Sequence, residues 1–177
     1  MQDREENYWF GTFSDGVCKL MSEDYISFTM EDGLPNKTIL SIKPYTDGQF
    51  LIGTFEGLSV FDGRSFRTYK SENGLLSSVV WDVDTDSNGL IWIATYNGVQ
   101  ILIPKNYLAT RPGLSEQQIR KVKRLISQSF RMNEFYVVNL RGIDLIRNVS
   151  MSDVFIDSRN RIWIGSRDNG IFRFDMG

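Results

Sequence analysis

The chain has 177 residues, 20 Lys+Arg against 22 Asp+Glu, one cysteine and no histidine. So even a balance carries no electrostatic footprint for nucleic acid or an anionic membrane surface. The missing histidine excludes, within this chain, a Ser-His-Asp or Cys-His nucleophile, a His-ligated metal and a histidine pH switch.

Cys18 alone forms neither an intramolecular disulfide nor a thiolate cluster. A hydrophobic share of 41% with only 4 prolines reads as a soluble globular chain, not a disordered one. Met1 to Asn7 is polar and unlike a signal peptide. The longest apolar run, Leu90 to Ala94, falls far short of the roughly 20 residues a membrane helix needs. No membrane contact is expected from this segment itself. Work outside the cytoplasm would need an export signal that was removed or lies on a parent chain.

In chain order, the first apolar block is Trp9-Phe10-Gly11-Thr12, in a strand from Tyr8 to Thr12, followed by Gly16-Val17. Asp32-Gly33-Leu34 and the spaced pair Ile39/Ile42 come next. The succession then returns as Leu51-Ile52-Gly53-Thr54, Gly57-Leu58, Asn73-Gly74-Leu75 and Val80/Val83. It returns again as Trp92-Ile93-Ala94-Thr95, Gly98-Val99, Pro112-Gly113-Leu114 and Ile119/Val122. A weaker copy is Tyr136-Val137-Val138-Asn139 with Gly142-Ile143 and Met151/Val154, and the last is Trp163-Ile164-Gly165-Ser166 with Gly170-Ile171. The turn glycines are 41, 41, 44 and 28 residues apart, and about 40–45 residues is the period of a propeller blade.

Each period reads as strands. Ser78 to Asp84 predicts a first strand, Asp86-Ser87-Asn88-Gly89 a turn, and Leu90 to Thr95 a second strand buried on both faces. Asn97-Gly98 is a strong hairpin signal; Val99 to Ile103 is a third strand and Tyr107 to Thr110 a short outer fourth. The second unit shows its outer strand better, with the Asp62-Gly63 turn and Phe66 and Tyr69 on the rim. Four antiparallel strands per period define an all-β chain of β-propeller blades, about four to five units. Their approximate bounds are 1–32, 33–73, 74–112, 113–150 and 151–177. A glycine inside the second strand, as at Gly53, predicts close approach of neighbouring backbones.

Two places depart from the pattern. Ser115 to Ile126 also reads as a capped amphipathic helix with Ile119, Val122, Leu125 and Ile126 on one face. The repeat alignment favours a strand there, with a charged hairpin around Ser127 to Asn133. The short final gap implies that the fourth unit lacks its outer strand or that a stretch is absent near Arg147 to Ser150. The two chain ends do not complement each other as shared strands of one blade, so a segment of a larger propeller is expected, not a closed small ring.

The pattern Gly-Leu, spaced Val/Ile pair, Asp, Gly, Trp-Ile-Gly-Thr, Gly-Leu, Phe-Asp-Gly, Phe, Tyr resembles the two-component regulator propeller repeat. It is fullest from Gly74 to Ile103, from Leu51 to Tyr69 and from Asp157 to Asp175. The resemblance implies the periplasmic sensor region of a membrane-bound hybrid histidine kinase of the Bacteroides type. It implies a ligand-sensing role, with a glycan fragment as ligand, the rest of the parent sensor chain as partner and a homodimer in the full-length protein. Kinase motifs, a membrane helix and the usual following immunoglobulin-like domain are absent from this sequence.

Propellers bind ligands mainly at the face that carries the turns between second and third strands. Those turns place Phe13, Phe55, Tyr96, Leu140 and Arg167 directly after each Thr-type position, with Asp15, Glu56, Asn97, Arg141 and Asp168 beside them. Aromatic faces beside carboxylates and guanidinium groups suit a sugar. The candidate ligand-binding residues are therefore Phe13, Asp15, Phe55, Glu56, Tyr96, Asn97, Arg141, Arg167 and Asp168; inter-blade packing is the competing role for the aromatics. Asp82, Asp84 and Asp86 imitate the start of a calcium loop but lack its glycine and terminal glutamate. Arg120-Lys121-Lys123-Arg124 reads as a solvated face, with no interleaved aromatics for nucleic acid. No catalytic residue, cofactor or metal is expected. A protein-interaction scaffold and a glycan-active enzyme remain the alternative readings.

Overall fold

The computed structural model describes residues 1–3, 5–21, 24–140 and 149–175. These form four antiparallel sheets. The first holds β1 (Tyr8–Gly11), β2 (Val17–Met21) and β3 (Asp24–Phe28). The second holds β4 (Ile39–Pro44), β5 (Phe50–Thr54), β6 (Gly57–Phe61) and β7 (Phe66–Tyr69). The third holds β8 (Val80–Thr85), β9 (Ile91–Thr95), β10 (Gly98–Pro104), β11 (Phe130–Met132) and β12 (Phe135–Asn139), in the order β8-β9-β10-β12-β11. The fourth holds β13 (Met151–Ile156), β14 (Arg161–Ser166) and β15 (Ile171–Asp175). The sheets stand in chain order, β1 packing on β4, β4 on β8 and β8 on β13.

Burial on both faces drives the stack. In β9, Ile91 and Ile93 enter the core shared with the second sheet, while Trp92 and Ala94 enter the core shared with the fourth. In β5, Leu51 and Ile52 divide in the same way between the cores on either side. Side chains that alternate across a strand cover two interfaces at once, so a single sheet cannot satisfy its own apolar faces. Each inner strand also carries one unpaired residue, between Ile39 and Ser41, between Val80 and Asp82, and between Met151 and Asp153. Such bulges re-aim side chains and sharpen the local twist.

Two side-chain devices recur with the repeat. Asp3, Asp86 and Asp157 each stand six residues before a tryptophan and accept from its indole Nε1–H, at 2.7, 3.4 and 3.0 Å. Each also accepts from two backbone N–H groups of the intervening turn. The second device closes the next turn. Thr12, Thr54, Thr95 and Ser166 donate their hydroxyls to the carbonyls of Gly16, Gly57, Gly98 and Gly170 at 2.8–2.9 Å. They accept from Asp15, Glu56, Asn97 and Asn169 N–H in return. The final residue of each Trp-Ile-Gly-Thr block is thus a turn clamp.

Gly53 is a contact between sheets. A Cβ there would stand 2.8 Å from the Val80 carbonyl oxygen of the next sheet and 2.6 Å from Ser41 Oγ. The expected close approach of backbones is real at this position.

Three sequence expectations are corrected. Residues 115–126 are helical, not a strand: α2 (Glu116–Ser127) follows α1 (Tyr107–Thr110). A capping box decides it, with Gln118 N donating to Ser115 Oγ at 3.3 Å and Ser115 N to Gln118 Oε1 at 2.8 Å. Tyr107 to Thr110, expected as an outer strand, is the short α1. The outer position belongs instead to β12, whose residues read as the second strand of another blade. That misreading has a physical cause. Val138 is buried under α2 and Val137 against the second sheet, so an outer strand carries the apolar density of an inner one. The steps of 44 and 28 residues therefore are one long step of 72 from Gly98 to Gly170.

Candidate functional site

The clamped turns all emerge at one end of the sheets, where β5, β9 and β14 finish. Phe55 leaves the second sheet there and Arg167 leaves the fourth. Between them stands Trp81, the bulge residue of β8. The Phe55 and Trp81 rings meet edge to face, 5.6 Å between centroids at 83°. Arg167 Cζ lies 3.9 Å from the Trp81 ring centroid, a cation–π distance. The Arg167 backbone is held by its N–H to Ser150 O at 3.1 Å. Trp81 Nε1–H is buried with no partner among the described residues. A buried indole N–H without an acceptor is a costly arrangement in a native protein and marks a place where an acceptor is welcome.

Directly behind Trp81, Asp82 faces Asp153 across the third and fourth sheets. Asp82 Oδ2 accepts from Val154 N at 3.2 Å, and Asp84 Oδ2 from Ile156 N at 2.9 Å. Burial, then a hydrogen bond with the Asp153 carboxyl, holds the Asp82 carboxyl well above the usual carboxylate range, with Lys43 opposing the shift. The two backbone donations to Asp82 and Asp84 tie the inner strands β8 and β13 together. Asp86 points elsewhere, into its own turn. Among the described residues no cluster of acidic or sulfur side chains is placed to hold a metal ion.

The nine candidate residues are not all brought together. Phe55 and Arg167 meet through Trp81. Glu56 is turned to Asn36 (3.2 Å) and Lys70 (3.5 Å), and Asn97 Nδ2 donates to Leu76 O at 3.0 Å. These two tie each turn to the crossover entering its sheet. Asp15 accepts from Ser14 Oγ at 2.7 Å, and Phe13 stands out in solvent on the first sheet, 77% exposed. Tyr96 is also exposed, as is Asp168. Arg141 lies outside the described residues. Sequence reading missed Trp81. The signal was present: where the other inner strands carry Leu40 and Ser152 at the bulge, this one carries a tryptophan.

Stacked sheets of this kind define the class: the chain is a segment of a β-propeller. Residues 74–97 match the two component regulator propeller family, so the chain carries that repeat in its third unit. No curated protein matches the chain. Among solved structures it is similar to one described as the extracellular domain of a hybrid two component system from B. thetaiotaomicron, with TM-score 0.69 and 22% identity. That similarity covers 99% of this chain and 21% of the other, so the chain spans about a fifth of its length. PorZ, a surface component of the type-IX secretion system of Porphyromonas gingivalis, is similar at TM-score 0.64 and 14% identity, over 98% of this chain and 25% of that one. A catalytically inactive virginiamycin B lyase from Staphylococcus aureus, with quinupristin, is similar at TM-score 0.58 and 12% identity, over 99% and 54%. These likenesses speak to the fold. No helix among the described residues is long and apolar enough to cross a membrane.

Proposed function

We propose that the chain is part of the extracytoplasmic ligand-sensing propeller of a two-component sensor, in the periplasm, and that its Trp81 mouth recognises a glycan fragment. The observation that carries the reading is the convergence of Phe55, Trp81 and Arg167 from three successive sheets. Aromatic rings take the C–H faces of a sugar, and a guanidinium takes hydroxyl or uronate oxygens. Arg167 forms no ion pair among the described residues, so its N–H donors remain for such a partner. In the parent protein, ligand binding would favour one arrangement of paired sensor chains and pass that bias across the membrane. The family match in the third unit and the similarity to a two-component extracellular domain support this role. The likeness to a lyase gives less support to an enzyme, because that lyase lost activity through a histidine substitution and this chain has no histidine.

The test is a thermal-shift and tryptophan-fluorescence titration of the chain against neutral and uronate-containing oligosaccharides. A binding glycan at about 100 times its Kd stabilises by about 2.7 kcal/mol. Trp81→Ala and Arg167→Ala should each weaken it at least about tenfold, roughly 1.4 kcal/mol. If no glycan shifts the melting temperature, the sensing reading fails; product release from the panel would point to the enzyme instead.

A further inference from the structure

The repeat is interrupted once, and the interruption builds something. Gly98 and Gly170 are 72 residues apart, against 41 for each earlier step. The surplus includes α1 and α2, and insertions of this kind on a rigid scaffold commonly carry function. They lie at the end of the sheets opposite the Trp81 mouth, over the turns that join first to second strands. Between α2 and the turns at Ser87–Asn88 and Arg159–Asn160 is a cleft of about 260 Å³.

We infer that this cleft is a second ligand site and takes a small organic acid, a carboxylate on a compact apolar body. Its floor is apolar, from Leu90, Val122 and Leu125, and its wall brings Arg159 to the opening, with no carboxylate among the described residues of the lining. The Arg159 guanidinium pairs with no acid among the described residues. The amides are committed as donors by an unbroken chain of hydrogen bonds. Ser115 N–H occupies Gln118 Oε1, so Gln118 Nε2 must donate, and it does so to Asn88 Oδ1 at 3.0 Å. Asn160 Oδ1 is likewise taken by Ser87 N–H at 2.7 Å. The acceptors of both asparagines are engaged and their N–H2 groups are left over, which suits an anion.

A second, independent sign is Tyr107. It lines the cleft, is 2% exposed, and its hydroxyl has no hydrogen-bond partner among the described residues. Burial, and then the charge of Asp86, push that hydroxyl up to about 12, so it is an O–H donor at any physiological pH. An orphan buried hydroxyl costs about 1–3 kcal/mol unless something accepts from it. The volume lies just under the range of about 300–1,000 Å³ typical of drug-sized ligands, so the occupant is small. This site owes nothing to the glycan reading of the other face.

The chain, labelled with nitrogen-15, would be titrated with benzoate and hexanoate and with the neutral benzamide and hexanamide. A carboxylate probe should shift the side-chain amide signals of Asn88 and Asn160, with its amide at least about tenfold weaker (1.4 kcal/mol). Arg159→Met, an exposed change that spares the core, should weaken carboxylate binding by about tenfold, and Tyr107→Phe by about threefold, while Trp81→Ala leaves it unchanged. The inference is overturned if neither acid shifts those signals, if benzamide and hexanamide bind as well as the acids, or if Arg159→Met binds like the parent chain.

Discussion

Asp86 and Asp157 occupy the same place in the repeat, cap the same kind of turn and hold the same kind of tryptophan, yet their acidities move in opposite directions. In the third sheet Asp86 is 4% exposed, beside Tyr107 of the helical insertion. Burial pushes its carboxyl above the ordinary range, despite the N–H groups that it accepts from. In the fourth sheet the Asp157 side chain is 14% exposed and no helix among the described residues lies over it. Hydrogen bonds, first from the Trp163 indole and then from the Arg161 backbone and side chain, hold its carboxyl well below the ordinary range. The hydrogen-bond pattern is a property of the repeat unit, and the cover over it is a property of the assembly. A repeat motif therefore predicts who bonds to whom, but not at what electrostatic cost.

The same contrast between covered and uncovered sheets orders the expected effects. The largest is steric. Gly53→Leu drives a side chain into the Val80 carbonyl of the next sheet and should lose about 3 kcal/mol of stability. The equivalent Gly165 would meet only Asp153 and Ser152 of its own sheet, no closer than 3.2 Å. Gly165→Leu should stay within about 1 kcal/mol in urea unfolding. Equal losses at the two positions would mean that the sheets do not stack as described.

Next comes Asp86→Ala, which strands the buried Leu90 N–H, the half-buried Asn88 N–H and an indole N–H and should cost about 2–3 kcal/mol. Asp157→Ala frees donors that water can reach, so its loss by the same measurement should be clearly smaller.

A third effect is in the pH dependence. The folded Asp82 carboxyl is raised, so its protonated form is the one the fold prefers. Its contribution is complete below the ordinary aspartate value, about 3.9, and drains away as pH rises from there toward neutrality. Unfolding free energy should therefore carry a downward component over that interval, and Asp82→Asn should flatten it. Asp157 works in the opposite sense: its contribution is present above the ordinary value and is lost as pH falls below it. A wild-type profile that rises all the way to neutrality and is unaffected by Asp82→Asn would refute the raised Asp82 carboxyl.

The smallest effect is local. Ser115→Ala removes the cap of α2 and should cost about 1 kcal/mol, read as a fall in melting temperature, while the sheets keep their ultraviolet circular dichroism.

Much of the fold was legible because period and burial coincide in it. Leu51-Ile52-Gly53-Thr54 is apolar on both sides, carries a glycine where the Val80 backbone arrives, and ends, like its copies, on a hydroxyl that clamps a turn. The reading failed at residues 107–139, where a non-repeating helix covers Val138 and the second sheet covers Val137, so that an outer strand looks central. In the Trp81 mouth, Phe55 and Arg167 were legible as turn residues on one face. Trp81 was not, because its role depends on the bulge that spaces Val80 and Val83 three apart and turns the intervening side chain toward the mouth.

By itself the sequence determined the repeat, the hairpin of second and third strands around each Thr-Gly turn and the chemistry excluded by the absence of histidine, because these follow from local alternation, turn residues and composition. Tertiary structure alone decided which sheet neighbours which element, that the 115–127 segment is a roof and not a blade, and that Trp81 lies between Phe55 and Arg167. Those outcomes arise from contacts between residues distant in the chain, whose burial and electrostatics no single period encodes.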